Sequence, residues 1–136
     1  MSSMTLEQLA AAMPFAVHTG VELVAASPDE VRARLEWAPE RCTSGGLLHG
    51  AALMTMADSA GAVCAFLNLP EGAGTSTIES KTNFFRGVRE GGVVESVSRP
   101  LHVGRTTIVV QTDITDAGGT RVAQVTQTQA VLLPRQ

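Results

Sequence analysis

Residues 45–66 read GGLLHGAALMTMADSAGAVCAF, and this stretch decides the fold. From 49 to about 67 it shows no period-two alternation and few β-branched residues, whereas Ala, Leu and Met dominate. That composition predicts a helix of about 18 residues, roughly 27 Å long. The helix is apolar nearly all round, which is typical of a helix buried on several sides. The only formal charge in 42–70 is Asp58, in the middle of that apolar surface.

Strand patterns lie on both sides of this helix. Before it, 20–26 reads as a strand, and 30–37 is the clearest strand because Val31, Ala33, Leu35 and Trp37 alternate with charged residues. Four more strand-like runs follow the helix, near 75–86, 93–99, 105–115 and 120–133. The last of these runs shows no clean alternation, so the sequence does not assign its two faces.

The turns between these runs are short, at 89–92, at Gly104 and at 116–119. Short turns between consecutive strands predict antiparallel pairing. The expected fold class is therefore α+β, a single domain over 1–136 in which five or six antiparallel strands wrap against one long buried helix. Residues 1–18 add an N-terminal helical segment.

That N-terminal segment has its own start and stop signals. Thr5 and Gln8 fit a capping box, which predicts a short helix beginning there, and Pro14 ends it.

Composition excludes several classes of function. A net charge of −3, with four Phe, one Trp and no Tyr, argues against a nucleic-acid partner. A membrane span over 47–67 is rejected, because Asp58 near the bilayer centre would cost roughly 3 kcal/mol. Two distant cysteines, no basic residue before Arg32 and no metal-ligand spacing predict a cytoplasmic protein without a bound metal.

The lone carboxylate of Asp58 has two interpretations. An ionised, unpaired carboxylate on a buried helix costs several kcal/mol, so the group needs a reason to be there. It is either a structural acid that bonds Ser59, Thr55 or a loop amide, or a general base or nucleophile in a cleft. Periodicity alone does not separate them.

The start of the helix offers a complementary group. Gly45, Gly46 and Gly50 flank His49 where the loop becomes the helix, and the first N–H groups of a helix lack internal partners. With no side chain at Gly50, a ligand oxygen could approach its N–H, as in an oxyanion hole. The alternative is that these glycines only make a tight turn.

Spacing separates Gly50 from Asp58 by eight residues, about 12 Å along the helix axis. One helix therefore cannot bring both groups to one carbonyl. Two such helices packed antiparallel about a two-fold axis can, so a homodimer follows if both groups serve one reaction.

The motif Gly46-x-x-His49-Gly50, followed by Asp58, resembles the helix motif of hotdog-fold acyl-CoA thioesterases, and in particular of their PaaI-like branch. The segment 79–86, ESKTNFFR, is similar to the strand after that helix in the same family. The turn 104–106 and the final strands also fit, so the resemblance covers about 20–133. It implies a long helix wrapped by an antiparallel sheet, in dimers that often pair into tetramers.

The resemblance also implies roles for individual residues. Asp58 would be the catalytic carboxylate of one subunit, and the Gly50 N–H of the other would polarise the thioester carbonyl. His49 would shape the turn, and Thr77 falls where some relatives place a hydroxyl that positions the attacking water. The expected substrate-binding residues are Thr43, Ser44, Gly46, Met54 and Asn83. For Met54, core packing is the alternative.

Two departures from the family pattern stand out. Relatives usually carry Asn or Gln six residues before the His, where this chain has Thr43, which has no amide; Ser44 or a water would have to substitute. Relatives also often read His-Gly-Gly, whereas here the third residue is Ala51. A Cys42–His49 nucleophile pair is a further, separate possibility.

Coenzyme A carries a pyrophosphate and a 3′-phosphate, so a site for it needs positive charge. Residues 81–105 hold five basic and two acidic residues, which makes this segment +3 in a −3 protein. The expected CoA-binding residues are Lys81, Arg86, Arg89 and Arg105. For any one of them, a solvated strand edge is the alternative.

The expected function is hydrolysis of an acyl- or aryl-acyl-CoA to the free acid and CoA, with Asp58 as general base on water or as a nucleophile that forms an anhydride. CoA is part of the substrate, and no cofactor is expected. The first alternative, favoured by Thr43, is a non-catalytic acyl-CoA-binding module of the same fold. The second is a hotdog hydratase or dehydratase.

Overall fold

The structure is a computed structural model of the chain, and it describes residues 4–135. The helices are α1 (Leu6–Ala11), α2 (Pro14–Thr19) and α3 (Gly50–Phe66), with a 3₁₀ turn at Pro39–Arg41. The strands are β1 (Glu22–Ala26), β2 (Val31–Glu36), β3 (Gly74–Phe84), β4 (Val93–Val103), β5 (Thr107–Asp116) and β6 (Arg121–Leu132). The single-domain assignment for 1–136, whose ends lie outside the described residues, stays a prediction.

All six strands form one antiparallel sheet in the order β1-β2-β4-β5-β6-β3. Strands β4, β5 and β6 are joined by short hairpin turns, as predicted. Strand β3 follows the long helix in the chain but lies beyond β6 at one edge of the sheet, while β1 forms the other edge. The α+β hotdog architecture expected from the sequence is confirmed.

The long helix α3 packs against the inner face of the sheet, in contact with β2 to β6. Its buried residues are small or apolar: Ala52, Leu53, Met56, Ala57, Ala60, Gly61, Val63, Cys64 and Ala65. Fully buried strand residues such as Val31, Leu35, Val94, Ile108 and Ile114 meet this face. Alternation in β2 is as predicted, with Val31, Ala33 and Leu35 inward. Burial of this apolar area, at roughly 25 cal/mol per Å², holds the helix in the sheet.

The expectation that α3 is buried on several sides is wrong for the single chain. Ala51, Met54 and Asp58, spaced three and four residues apart, form an exposed stripe along the helix. Met54 alone exposes 42% of its surface. Sequence periodicity missed this stripe because two of its three members are as apolar as the buried face.

The N-terminal segment contains two helices where one was predicted. The capping box of Thr5 and Gln8 is present, and α1 ends at Ala11. Pro14 does not only stop that helix: it is the first residue of α2, a position where its missing N–H costs nothing.

Candidate active site

The entrance to α3 is shaped by His49, which is the N-cap of the helix. Its Nδ1 accepts a hydrogen bond from the Ala51 N–H at 3.0 Å. The N–H of the residue before it, Gly50, has no acceptor within residues 4–135. The positive end of the helix therefore carries an unpaired N–H at a residue with no side chain.

The Gly50 position is covered by an aromatic ring from β3. A Cβ added at Gly50 would lie 3.0 Å from Cζ of Phe84, which is itself half exposed. The ring thus occupies the space that a side chain at residue 50 would need. Phe84 is also the last residue of β3, so the helix start and the end of that strand lie side by side.

Asp58 lies on the exposed stripe two turns further along the helix. Its Oδ1 accepts a hydrogen bond from the Thr77 hydroxyl of β3 at 2.9 Å and from Nε2 of Gln127 of β6 at 3.3 Å. Its other oxygen, Oδ2, has no donor among the described residues. The carboxylate is therefore held by one oxygen and open at the other.

A β-bulge in β3 determines which residues of this strand face the helix. The register with β6 shifts between Thr77 and Glu79, so Ile78 is the extra residue. Such a bulge reverses which residues face inward. As a result Thr77, before the bulge, and Ser80 and Phe84, after it, all face the helix.

Two residues at the candidate site were missed from the sequence, namely Gln127 and Gln129 of β6. They are inward-facing and almost fully buried, at 0% and 1% exposure. Nε2 of Gln129 donates to the Thr77 hydroxyl at 2.6 Å, while Gln127 donates to Asp58. The sequence signal that could have revealed them is a pair of glutamines two residues apart, in a strand whose other inward-facing residues are Ala and Val.

A groove of about 460 Å³ opens beside Asp58. One wall is polar and comes from α3 and β3, namely Thr55, Asp58, Ser59, Thr77 and Ser80. The other wall is largely apolar and is lined by Met54 together with residues of the N-terminal segment, Met13, Pro14, Phe15 and Ala16. The contribution of α2 to this groove was not predicted, since the sequence treated 1–18 only as a helical segment.

The loop before α3 is some distance from that groove. Thr43 accepts a hydrogen bond from the Gly45 N–H at 3.3 Å and donates to the Leu47 carbonyl at 3.4 Å. Gly46, at φ +83°, turns the chain, and its carbonyl accepts from the Trp37 indole. Neither this loop, with Thr43, Ser44 and Gly46, nor Gly50 lines the groove beside Asp58. One protomer therefore keeps the two halves of the predicted site apart.

The basic residues divide between the two ends of the sheet. Arg86 and Arg89 line a second groove of about 840 Å³ together with the turn 116–120. Nη1 of Arg86 lies 3.6 Å from Oδ2 of Asp116 in that turn. Arg105 lies in the β4–β5 turn at the other end of the sheet, whereas Lys81 and Asn83 are exposed along β3. Of the four predicted CoA contacts, only Arg86 and Arg89 are neighbours in one chain.

The Cys42–His49 pair is disfavoured by the contacts of both residues. Burial raises the pKa of the Cys42 thiol, so the nucleophilic thiolate is disfavoured. Its Sγ donates to the Ala38 carbonyl at 3.2 Å, and the Nδ1 of His49 is occupied by Ala51.

Between residues 4 and 135, no cluster of three or more His, Cys, Asp or Glu could hold a metal ion. Over the same range, no helix is long and apolar enough to cross a membrane.

A central helix wrapped by a six-stranded antiparallel sheet, with one acid open on the helix, defines a hotdog-fold protein with the groups of a hydrolase. Residues 45–123, more than half of the chain, match the family model described as thioesterase superfamily. The chain belongs to this family. The resemblance drawn from the helix motif is thereby confirmed.

Individual relatives agree with this assignment. The proofreading thioesterase EntH of Cronobacter turicensis is 29% identical over 95% of both chains. The 1,4-dihydroxy-2-naphthoyl-CoA hydrolase of Escherichia coli is 36% identical over 64% of this chain and 63% of its own length. A crystal structure of a mutant thioesterase from Pseudomonas aeruginosa superposes with a TM-score of 0.89, at 28% identity and over 96% of both chains.

The match is not complete for every relative. Curated relatives from Deinococcus radiodurans and Vibrio cholerae are matched over 62% and 57% of their own length, so the chain spans about three fifths of those proteins.

Proposed function

We propose that this protein hydrolyses the thioester of an acyl- or aryl-acyl-CoA to the free acid and CoA. The observation that carries the proposal is the state of Asp58, which is fixed through Oδ1 by Thr77 and Gln127 and open at Oδ2 beside a groove. A carboxylate with one free oxygen can take a proton from water or attack a carbonyl carbon directly. Family membership supports a thioester as the bond attacked.

The second catalytic group is proposed to come from a partner subunit. Strand β3 forms one edge of the sheet, and nine of its eleven residues are exposed. A long, open edge strand is a template for pairing with another copy of itself. The exposed stripe of α3 lies next to this edge, since Asp58 contacts Thr77, and would be covered by the same partner. A homodimer built on β3 therefore buries both features.

Pairing of β3 also explains how the two halves of the site meet. If two β3 strands pair antiparallel about a point near Ser80, Thr77 lies opposite Phe84 of the partner. Thr77 touches Asp58, and Phe84 covers Gly50 in each chain. The partner's Gly50 N–H then faces the carboxylate across the dimer axis. There it can donate to the thioester oxygen as negative charge develops on it.

The same pairing unites the divided basic residues. Thr75 pairs with Val131, whose N–H donates to the Thr106 carbonyl, so Arg105 lies near the start of β3. The end of the partner's β3, followed by Arg86 and Arg89, reaches this region. In the dimer, Arg105 of one chain and Arg86 of the other are proposed to hold the CoA phosphates, with Lys81 along the strand between them.

The substrate-binding residues follow from this arrangement. Met54 and the apolar wall from α2 are proposed to contact the acyl group, while the partner's Thr43, Ser44 and Gly46 approach its carbonyl end. Asn83 lies on β3 near the dimer axis. Because a relative acts on 1,4-dihydroxy-2-naphthoyl-CoA, aryl-acyl-CoAs head the panel of substrates to be tested.

The oligomer and the location of the protein remain predictions. Pairing of two dimers into a tetramer is implied by the family and is measurable by analytical ultracentrifugation. Both cysteines are free thiols, which supports the predicted cytoplasmic location.

The decisive experiment measures thiol release from a panel of acyl- and aryl-acyl-CoAs by the wild type and by Asp58→Asn. We expect release by the wild type and a loss of at least about 10²-fold in kcat for the variant, because amide Oδ1 and Nδ2 cannot act as base or nucleophile. Asp113→Asn on the outer face of β5, where Asp113 accepts from Gln124, is the matched control and should be nearly as active as the wild type.

The same experiment tests the rival function, an acyl-CoA-binding module without catalysis. The observation that favours the rival is the Thr43 hydroxyl, which is engaged in its own loop and replaces an amide. Equal and negligible thiol release by wild type and Asp58→Asn, with tight binding of a CoA ester by both, would establish the rival and refute hydrolysis.

A further inference from the structure

Beneath Asp58 lies a layer of amide and hydroxyl groups, of which the proposed function uses only the direct bonds of Thr77 and Gln127 to Asp58. The Thr75 hydroxyl proton has two acceptors within reach, the Ala130 carbonyl at 2.9 Å and Oε1 of Gln129 at 3.1 Å. Nε2 of Gln129 donates to the Thr77 hydroxyl at 2.6 Å. Thr77 in turn donates to Asp58. In this relay the Gln129 amide therefore determines the direction of the Thr77 hydroxyl.

The relay leaves Thr77 only one orientation. A hydroxyl has one proton to donate and lone pairs to accept with. Since the Gln129 amide fills an acceptor position of Thr77, the Thr77 proton is directed to Oδ1 of Asp58. Without Gln129, the hydroxyl could rotate and leave the carboxylate with one donor fewer.

Gln127 holds the same carboxylate from the other side. Its Nε2 lies 3.3 Å from Oδ1 of Asp58 and 3.5 Å from the Asp58 carbonyl, both of which are acceptors. The opposite orientation of the amide would set its oxygen against two acceptors, so this orientation is fixed. The consequence is that Oε1 of Gln127 is buried and has no partner among the described residues.

An unpaired buried oxygen of this kind destabilises the folded state. The chain also makes specific room for it, because a Cβ added at Gly61 would lie 2.0 Å from Oε1 of Gln127. Glycine inside a helix is also unfavourable relative to alanine. Two unfavourable choices at one place, both needed to aim an amide at Asp58, are typical of a functional site.

We infer that Gln127 and Gln129 are positioning residues for catalysis: they fix Oδ1 of Asp58, directly and through Thr77, so that Oδ2 is the oxygen that acts on the thioester. This inference rests on the proposed function. Both side chains are buried beneath the groove and touch no substrate, so their effect belongs on kcat and not on KM.

The test is a double-mutant cycle between Gln129 and Thr77, with kcat and KM measured by thiol release. Methionine is used at residue 129 because it keeps the volume and removes only the amide. We expect Gln129→Met to lower kcat about tenfold and change KM less than twofold, as loss of one aimed hydrogen bond to a charged group implies. In a Thr77→Val background, the same substitution should lower kcat by less than twofold further.

Gln124→Met is the matched control, because Gln124 lies on the outer face of the same strand and bonds Asp113. It should leave kcat and KM unchanged. Gln129→Met with unchanged kcat, or an equal further loss in the Thr77→Val background, would overturn the inference while leaving hydrolysis intact. No thiol release by the wild type would instead refute the proposed function, and the positioning role with it.

The absence of a side chain at Gly61, beside Oε1 of Gln127, gives a second test, should Gln129→Met fail to fold. Gly61→Ala forces the Gln127 amide away from Asp58, so kcat should fall about tenfold although Ala favours the helix. In Gly61→Ala/Gln127→Ala the clash is gone: the midpoint of unfolding should recover, whereas kcat should remain low. Recovery of kcat in the double variant would contradict a positioning role for Gln127.

Discussion

At the scale of single residues, the proposed site depends on two groups that lie apart in one chain. Asp58 has one oxygen held by Thr77 and Gln127 and one oxygen open, and it lies on the exposed stripe of α3. Gly50 has an N–H without an acceptor, at the positive end of the same helix. Eight residues of helix keep the two apart, so the proposed site needs a second copy of the chain.

The role of the Gly50 N–H can be separated from the absence of its side chain. Gly50→Pro removes the N–H at a helix position where proline is tolerated, and the extended backbone of His49 (ψ 136°) suits a following proline. We expect kcat for thioester hydrolysis to fall about 10²–10³-fold, the usual effect of losing an oxyanion donor.

Gly50→Ala is the matched variant for that experiment, because it introduces the same Cβ against Phe84 but keeps the N–H. Since Phe84 is half exposed and its ring can move, Gly50→Ala should retain kcat within about tenfold of the wild type. Equal losses in the two variants would mean that space, not the N–H, is what glycine supplies.

At the scale of elements, the strongest patterns in the sequence predict the fold. The Ala- and Leu-rich run gives α3 within a residue or two, and the alternation of β2 gives its buried face. The faces of β6 could not be assigned, because Gln127 and Gln129 occupy inward positions where Val or Ala was expected. The residues that hid the pattern are the ones that hold Asp58, 69 and 71 residues away in the chain.

Element ends were less predictable where a residue acts differently in context. Strand β4 was expected to end at Arg99, before Pro100, but it continues to Val103. Strand β2 pairs with β4 only as far as Ser98, so that side of Pro100 is open and its missing N–H costs no ladder bond. Likewise the bulge at Ile78, which aligns Thr77 with Ser80, has no signature in a single sequence.

Glu30, in the turn before β2, forms ion pairs with Arg32 of β2 and Arg99 of β4, and this charge cluster makes the stability of the fold depend on pH. Hydrogen bonds from Arg32 and then Arg99 hold the pKa of Glu30 below its usual value. Since the folded state favours the carboxylate, this contribution is present above about pH 4.5 and is lost as pH falls below it. The cluster is exposed, so the effect is small and screened by salt.

Comparison of the urea midpoints of wild type and Glu30→Gln should reveal this dependence. The wild type should have the higher midpoint at pH 7, and the difference should shrink as the pH falls below about 4.5 and Glu30 takes up a proton. A difference that persists unchanged at pH 3 would show that the substitution acts through something other than the charge.

At the scale of the whole molecule, the single chain exposes on one side several features that a partner subunit could cover. The open edge of β3, the exposed stripe of α3 and the divided basic residues all lie where a two-fold axis near Ser80 would bring them together. No sequence pattern shows this directly, because exposure of Ala51, Met54 and Ile78 is visible only in three dimensions. The dimer itself stays a prediction, and it was first drawn from the distance between Gly50 and Asp58.

Mixing two inactive variants tests the shared site most directly. Asp58→Asn keeps a working Gly50, and Gly50→Pro keeps a working Asp58, so a heterodimer of the two rebuilds one of its two sites. Random exchange makes about half of all dimers heterodimers, so thiol release should recover to about a quarter of the wild-type activity. Activity that stays at the level of the separate variants after verified subunit exchange would contradict a site built from two chains.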